Sequence, residues 1–137
     1  MEEKLIYKLE NLQKALSSFE KALSLTEENL DKDLKDVLHC GQIQKFEIVS
    51  ELCWKAMRRF LLDIEGVEAN TPKSAVRYFY QAGLCDEDQY EELIRMINHR
   101  NWLSHAYEEK MMQDIMAYFP GYVKLLGYCI NRMKERA

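Results

Sequence analysis

From Leu5 onward the apolar residues fall at Leu5, Leu9, Leu12, Leu16, Phe19 and Leu23. Steps of four and three alternate, which is the repeat of one face of an α-helix and not of a strand. The same spacing returns at Ile43, Phe46, Val49, Cys53, Met57, Phe60 and Ile64, and again at Met112, Ile115, Phe119, Tyr122, Leu126, Cys129 and Met133. Three such stripes take up nearly half of a 137-residue chain, and its five Gly and two Pro are too few for the turns of a many-stranded β fold. The chain is bound to be helical.

The stops and starts divide it further. The first helix is expected to end near Leu25, before the polar run Thr26 to Asp33. The second occupies roughly residues 36–64, with a separate turn expected before Gly41. Leu52, Ala56 and Leu61 widen its buried arc, which makes this helix central. Its opposite side carries Gln44, Glu47, Glu51, Lys55 and Arg58, with Glu51 ahead of Lys55 in the favourable i,i+4 order. Gly66 ends it. Thr71-Pro72 opens a short helix, with Thr as cap and Pro in the first turn, and Gly83 closes it. Asp86 with Gln89 reads as a capping box before a fourth helix through Tyr90, Leu93, Ile94 and Ile97. Pro120 lies inside the last stripe and must kink it or split off its first turns. With no repeat or long linker, the expectation is one domain over residues 1–137, an all-α up-and-down helical bundle of about five helices.

The charge balance narrows the function classes. Nineteen Lys and Arg against 23 Asp and Glu give a net charge of −4, so the bulk surface is not a nucleic-acid grip, and any such contact needs a local patch or an assembled cleft. Cys40, Cys53, Cys85 and Cys129 form no C-x-x-C pair, and all four read as reduced thiols. The Met-Glu-Glu-Lys start lacks a basic-then-apolar leader, and no stretch nears the roughly 18 apolar residues of a membrane span. A cytoplasmic location without membrane contact is expected.

Chemistry is concentrated between the fourth and fifth helices, in Arg100-Asn101-Trp102-Leu103-Ser104-His105-Ala106-Tyr107. Arg offers a planar fork of donors suited to phosphate, and His moves protons near neutral pH. Residue types alone do not make a site here. An Arg and a His five positions apart are usually a surface residue and a satisfied histidine; His99 is read as the latter, in a loop, and Trp102 and Leu103 as core anchors. Metal chemistry is not expected, since His99 and His105 lack a matching ligand set and Glu108-Glu109 reads as a solvated helix start. No cofactor-binding loop is visible.

The order of these residues adds what their types do not. Arg100, four intervening residues, His105, one residue, then Tyr107 resembles the signature of the HEPN superfamily, the higher eukaryote and prokaryote nucleotide-binding domain. Asn101 directly after Arg100 is similar to its branch of nucleotidyltransferase substrate-binding proteins, which pair with minimal nucleotidyltransferases. GQIQKFEIVSELCWK, from Gly41 to Lys55, resembles that branch's second-helix block, with Gln44, Phe46, Glu47, Glu51, Trp54 and Lys55 in place. The Thr71-Pro72 helix start fits as well. The likeness runs from about Leu5 to Met133, while the segment from Leu25 to Cys40 matches no family feature.

The resemblance implies a homodimer whose two Arg–His motifs face one cleft, and the apolar surplus on several helices agrees with a dimer. It implies a metal-independent endoribonuclease acting on RNA, with Arg100, Asn101 and His105 as catalytic residues and Glu47, Glu51 and Lys55 in support. It also implies that a partner nucleotidyltransferase, acting as antitoxin, silences the toxin by transferring AMP to Tyr107. The alternative is a non-catalytic subunit that presents a substrate or nucleotide to a separate nucleotidyltransferase.

Overall fold

The computed structural model describes residues 2–105 and 108–137. Six helices account for most of them: α1 (Glu2–Leu23), α2 (Lys32–Phe60), α3 (Pro72–Gln81), α4 (Glu87–Leu103), α5 (Glu109–Met116) and α6 (Phe119–Arg136). Among the described residues there is no strand.

On α1 the stripe Leu5, Leu9, Leu12, Leu16 and Phe19 is buried along its whole length. It lies against α2 and α6. At roughly 43 Å from 1.5 Å per residue, α2 is the longest element. Ile43, Phe46, Val49, Cys53, Ala56, Met57 and Phe60 are all buried on it. α3 and α4 cover α2 from a second direction, and α4 also meets α6. Four rings meet where the helices converge. Phe46 stacks on Phe119 at 4.6 Å between centroids and on Tyr122 at 5.7 Å, while Phe19 meets Phe119 edge-on at 5.2 Å.

One boundary differs from the sequence expectation. α2 begins at Lys32 and runs through Gly41 without a break, because Asp31 caps it by accepting from the Leu34 N–H at 2.9 Å. Its first turns bury nothing fully, and Leu34 and Val37 stay exposed, so no apolar stripe announces them. The last stripe is split into two helices, one of the two outcomes expected of Pro120, which makes six helices where about five were expected. Pro120 sits in the first turn of α6, where a missing N–H costs no intrahelical bond. The other stops fall as expected. α2 widens into a π-helical turn over Leu61–Glu65 that ends on Gly66 at φ +68°. Both capping boxes are formed: Thr71 with Ser74 at 3.0 and 3.1 Å, and Asp86 with Gln89 at 2.8 and 2.9 Å.

Phe46 has no exposed surface and touches rings from two other helices. Truncating it leaves a cavity that rigid neighbours cannot close. Phe46→Ala is expected to lower stability by about 3–5 kcal/mol, measured by urea denaturation. A loss below about 1 kcal/mol would show that α2 is not packed as described.

Candidate functional site

The site is built where the last turn of α4 meets the middle of α2. α2 presents Glu51, Trp54 and Lys55 within one turn. The Trp54 indole N–H donates to Glu51 Oε2 at 3.1 Å, and Lys55 Nζ lies 3.3 Å from Glu51 Oε1. From α4, Arg100 Nη2 approaches Glu51 Oε2 at 3.4 Å. Partial burial works against the charge on Glu51. The hydrogen bonds from Trp54 and Lys55, with the cations of Lys55 and Arg100, outweigh it and hold the carboxyl below its ordinary value. Glu51 therefore stays ionised and fixes Arg100 against α2. The guanidinium is not saturated: its Nε is buried and has no acceptor among the described residues.

The chain turns tightly after Arg100. Ser104 Oγ donates to the Arg100 carbonyl at 3.2 Å, and the His105 N–H donates to the Trp102 carbonyl at 2.9 Å. His105 is thereby held one turn beyond Arg100 with its side chain exposed, and Asn101 is exposed beside it. The motif thus does not lie between helices as expected, because Arg100 to Leu103 are the last turn of α4 itself. Of the supporting residues, Glu51 and Lys55 join Arg100 in one charged row. Glu47 is half-buried one turn earlier on α2, with no ion pair or hydrogen bond to Arg100 among the described residues. Tyr107 lies outside the described residues.

His99 and Trp102 exchange the places expected of them. His99 is a buried α4 residue, not a loop residue, and Trp102 is 57% exposed, not a core anchor. The inward face of α4 passes through Met96, His99 and Leu103, which turns Trp102 outward. That spacing was the available signal. Beneath the motif, Arg95 Nε donates to the Tyr122 hydroxyl at 3.1 Å, and that hydroxyl lies 2.7 Å from His99 Nδ1. The hydroxyl accepts from Arg95 and pairs with Nδ1, the ring's tautomer setting which of those two donates. Burial, then the nearby Arg95 cation, lowers the His99 pKa from its ordinary value. Burial raises that of Tyr122, and the Arg95 hydrogen bond partly offsets the rise.

An open cavity of about 380 Å³ lies on the α5 side of this network, lined by His99, Trp102, Glu108, Met111, Asp114 and Tyr118 among others. Cysteine chemistry has no place in the site, since burial pushes the Cys53 thiol up to about 12 and Cys129 well above its ordinary value. Among the described residues no three His, Cys, Asp or Glu side chains group as a metal site. No helix is long and apolar enough to cross a membrane.

A helical bundle with an Arg and a His on one tight helix end, the Arg pinned from a neighbouring helix, defines a class. The family model described as nucleotidyltransferase substrate binding protein like matches residues 7–135, and the chain belongs to that family. Its fold is shared with solved structures. A protein from Thermus thermophilus superposes with a TM-score of 0.79 at 27% identity, covering 89% of this chain and 98% of that one. A Haemophilus influenzae protein, described as revealing the fold of a substrate binding domain of a nucleotidyltransferase, gives 0.76 at 24% identity, covering 92% and 98%. A Shewanella oneidensis HEPN toxin, tri-AMPylated and in complex with an MNT antitoxin, gives 0.70 at 14% identity, covering 96% of each chain. Among curated proteins none matches the chain.

The neutral state of His99 makes a pH prediction. Its pKa in the folded chain is below the ordinary 6.5, so on acidification the unfolded chain binds the proton first. The stabilising contribution is complete above 6.5 and is lost as pH falls from there through the lower folded value. Urea denaturation at about pH 7.5 and about pH 5.5 is expected to show a larger drop for the wild type than for His99→Gln. Equal drops would mean that His99 is not held neutral.

Proposed function

We propose that this chain is the HEPN-type partner of a minimal nucleotidyltransferase and acts as a toxin, a metal-independent endoribonuclease with a site shared by two copies. The observation that carries this reading is the helix end itself. Arg100 is anchored by Glu51 with a donor left over, and His105 stands exposed in the next turn. In the reaction the RNA 2′-hydroxyl attacks the adjacent phosphorus, the O2′–P bond forms and the P–O5′ bond breaks. The His105 imidazole of one copy takes the 2′ proton, and that of the second copy protonates the leaving 5′ oxygen. Each role contributes roughly 10²–10⁴-fold. Arg100 neutralises charge on the phosphorane, Asn101 orients the phosphate, and Glu51 is a positioning residue that acts through Arg100.

A second copy is needed because each chain supplies one His105. Ile48 and Trp102 support the pairing, as large apolar side chains left exposed three residues from Glu51 and two from Arg100. Light scattering is expected to give twice the chain mass of 16.3 kDa. In the dimer, Arg100→Ala and His105→Ala are each expected to lower RNA cleavage by at least about 10²-fold with circular dichroism unchanged. EDTA is expected to have no effect, because imidazole and guanidinium supply the chemistry. Cleavage that persists in His105→Ala, or a monomer in solution, would overturn the mechanism.

Silencing follows from the same arrangement. The nucleotidyltransferase transfers AMP from ATP to the Tyr107 hydroxyl, forming a phosphodiester and releasing pyrophosphate. The modification brings negative charge and bulk within two residues of His105. Incubation with the partner, ATP and magnesium is expected to add AMP mass on Tyr107, and Tyr107→Phe is expected to abolish the gain. The family's description and the H. influenzae structure favour a second reading, a subunit that binds a substrate without cutting it. That reading prevails if Tyr107 is not modified while the complex nucleotidylates a third molecule.

A further inference from the structure

Away from the motif, α1 and α2 face each other across a groove of about 610 Å³. Lys4, Tyr7 and Lys8 on α1 and Lys55, Arg58 and Arg59 on α2 line it, each set at i, i+3, i+4 spacing. Five of the chain's 19 cations thus gather in one concavity of an acidic protein, with no Asp or Glu among its described lining residues. Lys55 is paired with Glu51 at 3.3 Å and Arg59 with Asp63 at 2.9 Å. Lys4, Lys8 and Arg58 have no carboxylate within 4 Å among the described residues. Helix dipoles do not account for the set. Arg58 and Arg59 suit the C-terminal end of α2, whereas Lys4 sits in the first turn of α1, where a cation is disfavoured, and Lys8 lies in the second turn, beyond that effect.

We infer that this groove is a second anion site, one that holds the phosphates of a nucleotide with its base against Tyr7. Tyr7 is 65% exposed, so its ring is available as a stacking face. A concave volume of this size suits a small ligand, and cations beside a free aromatic ring are how single strands and nucleotides are held without sequence readout. An acidic protein surface would use the cations but not the depth of the groove or the ring. Two sources share this chemistry, a free nucleoside triphosphate and a strand of RNA. Lys55 ties the groove to Glu51 and so to Arg100, but the inference does not depend on cleavage.

Binding is measured by fluorescence anisotropy on the full chain with two probes, a 2′-O-methylated oligouridylate and a fluorescent ATP analogue. The blocked 2′ oxygen cannot attack phosphorus, so a chain without nuclease activity still tests the groove. At least one probe is expected to bind, and which one identifies the source. The double variant Lys8→Glu with Arg58→Glu is expected to weaken that binding at least tenfold. Tyr7→Ala, which removes no buried contact, is expected to weaken it about fivefold or more, and Lys124→Glu on α6 to leave it unchanged. Circular dichroism and urea denaturation check each variant's fold. Failure of both probes to bind overturns the inference, as does a double variant that binds normally or a Lys124→Glu that weakens binding equally. Loss of binding to the nucleotidyltransferase alone would make the groove a protein-docking surface, which also overturns it.

Discussion

The buried arc of α2 has to be covered from two directions at once. Phe46, Val49 and Cys53 cannot face water, and one neighbouring helix cannot shield the whole arc. α1 and α6 close one side, and α3 and α4 the other. The ring cluster of Phe19, Phe46, Phe119 and Tyr122 sets how close these layers come. Packed aromatic rings have few alternative arrangements, so the spacing of α1, α2 and α6 is decided in the core, and Tyr122 carries that placement to α4 through Arg95 and His99. The Arg100–Glu51 approach follows from that packing. The candidate site's helix end is thereby placed by residues that lie outside it.

Tyr122 links the core to the site. Its ring belongs to the cluster, while its hydroxyl joins Arg95 and His99 on α4. A buried polar network of this kind is stabilising only if each member is satisfied. Here the Tyr122 hydroxyl is partnered from both sides, by Arg95 as donor and by His99 Nδ1. The network ties α6 to α4 one turn below Arg100, and it separates two histidines that look alike in sequence. His99 is neutral and internal, whereas His105, six residues on, is exposed.

How much of this was legible in the sequence depends on whether a residue reports its own environment. The stripes of α1 and α2, the two capping boxes and Gly66 are local signals, and each element stands where its residues place it. The start of α2 was hidden because Lys32 to Cys40 is held by its Asp31 cap and by a His39–Glu27 pair, not by a buried face. Pro120 showed that the last stripe must be disturbed, but whether it bends or breaks depends on the packing of Phe119. Within the candidate site, Arg100, Asn101 and His105 were legible as an ordered motif, and Glu51 and Lys55 through a second block. That Glu51 touches Arg100 is a relation across 49 residues, which no local pattern carries. His99 and Trp102 were exchanged for a related reason: at a helix end one position of register separates a buried residue from an exposed one.

Arg100 shows what that long-range relation does physically. A guanidinium docked against one carboxylate, with a buried donor left over, is not at its most favourable arrangement. An unsatisfied buried donor costs about 1–3 kcal/mol, and Glu51 offers a long 3.4 Å contact and not a paired fork. Nε lies beneath the surface, so only an oxygen admitted by a movement of Arg100 relieves this penalty, with a charge-assisted bond in place of the unmade one. Glu51 need not leave, since it also accepts from Trp54 and pairs with Lys55. The carboxylate thus serves as an anchor that keeps an isolated cation ordered on an acidic protein, while leaving part of its hydrogen-bonding capacity unused.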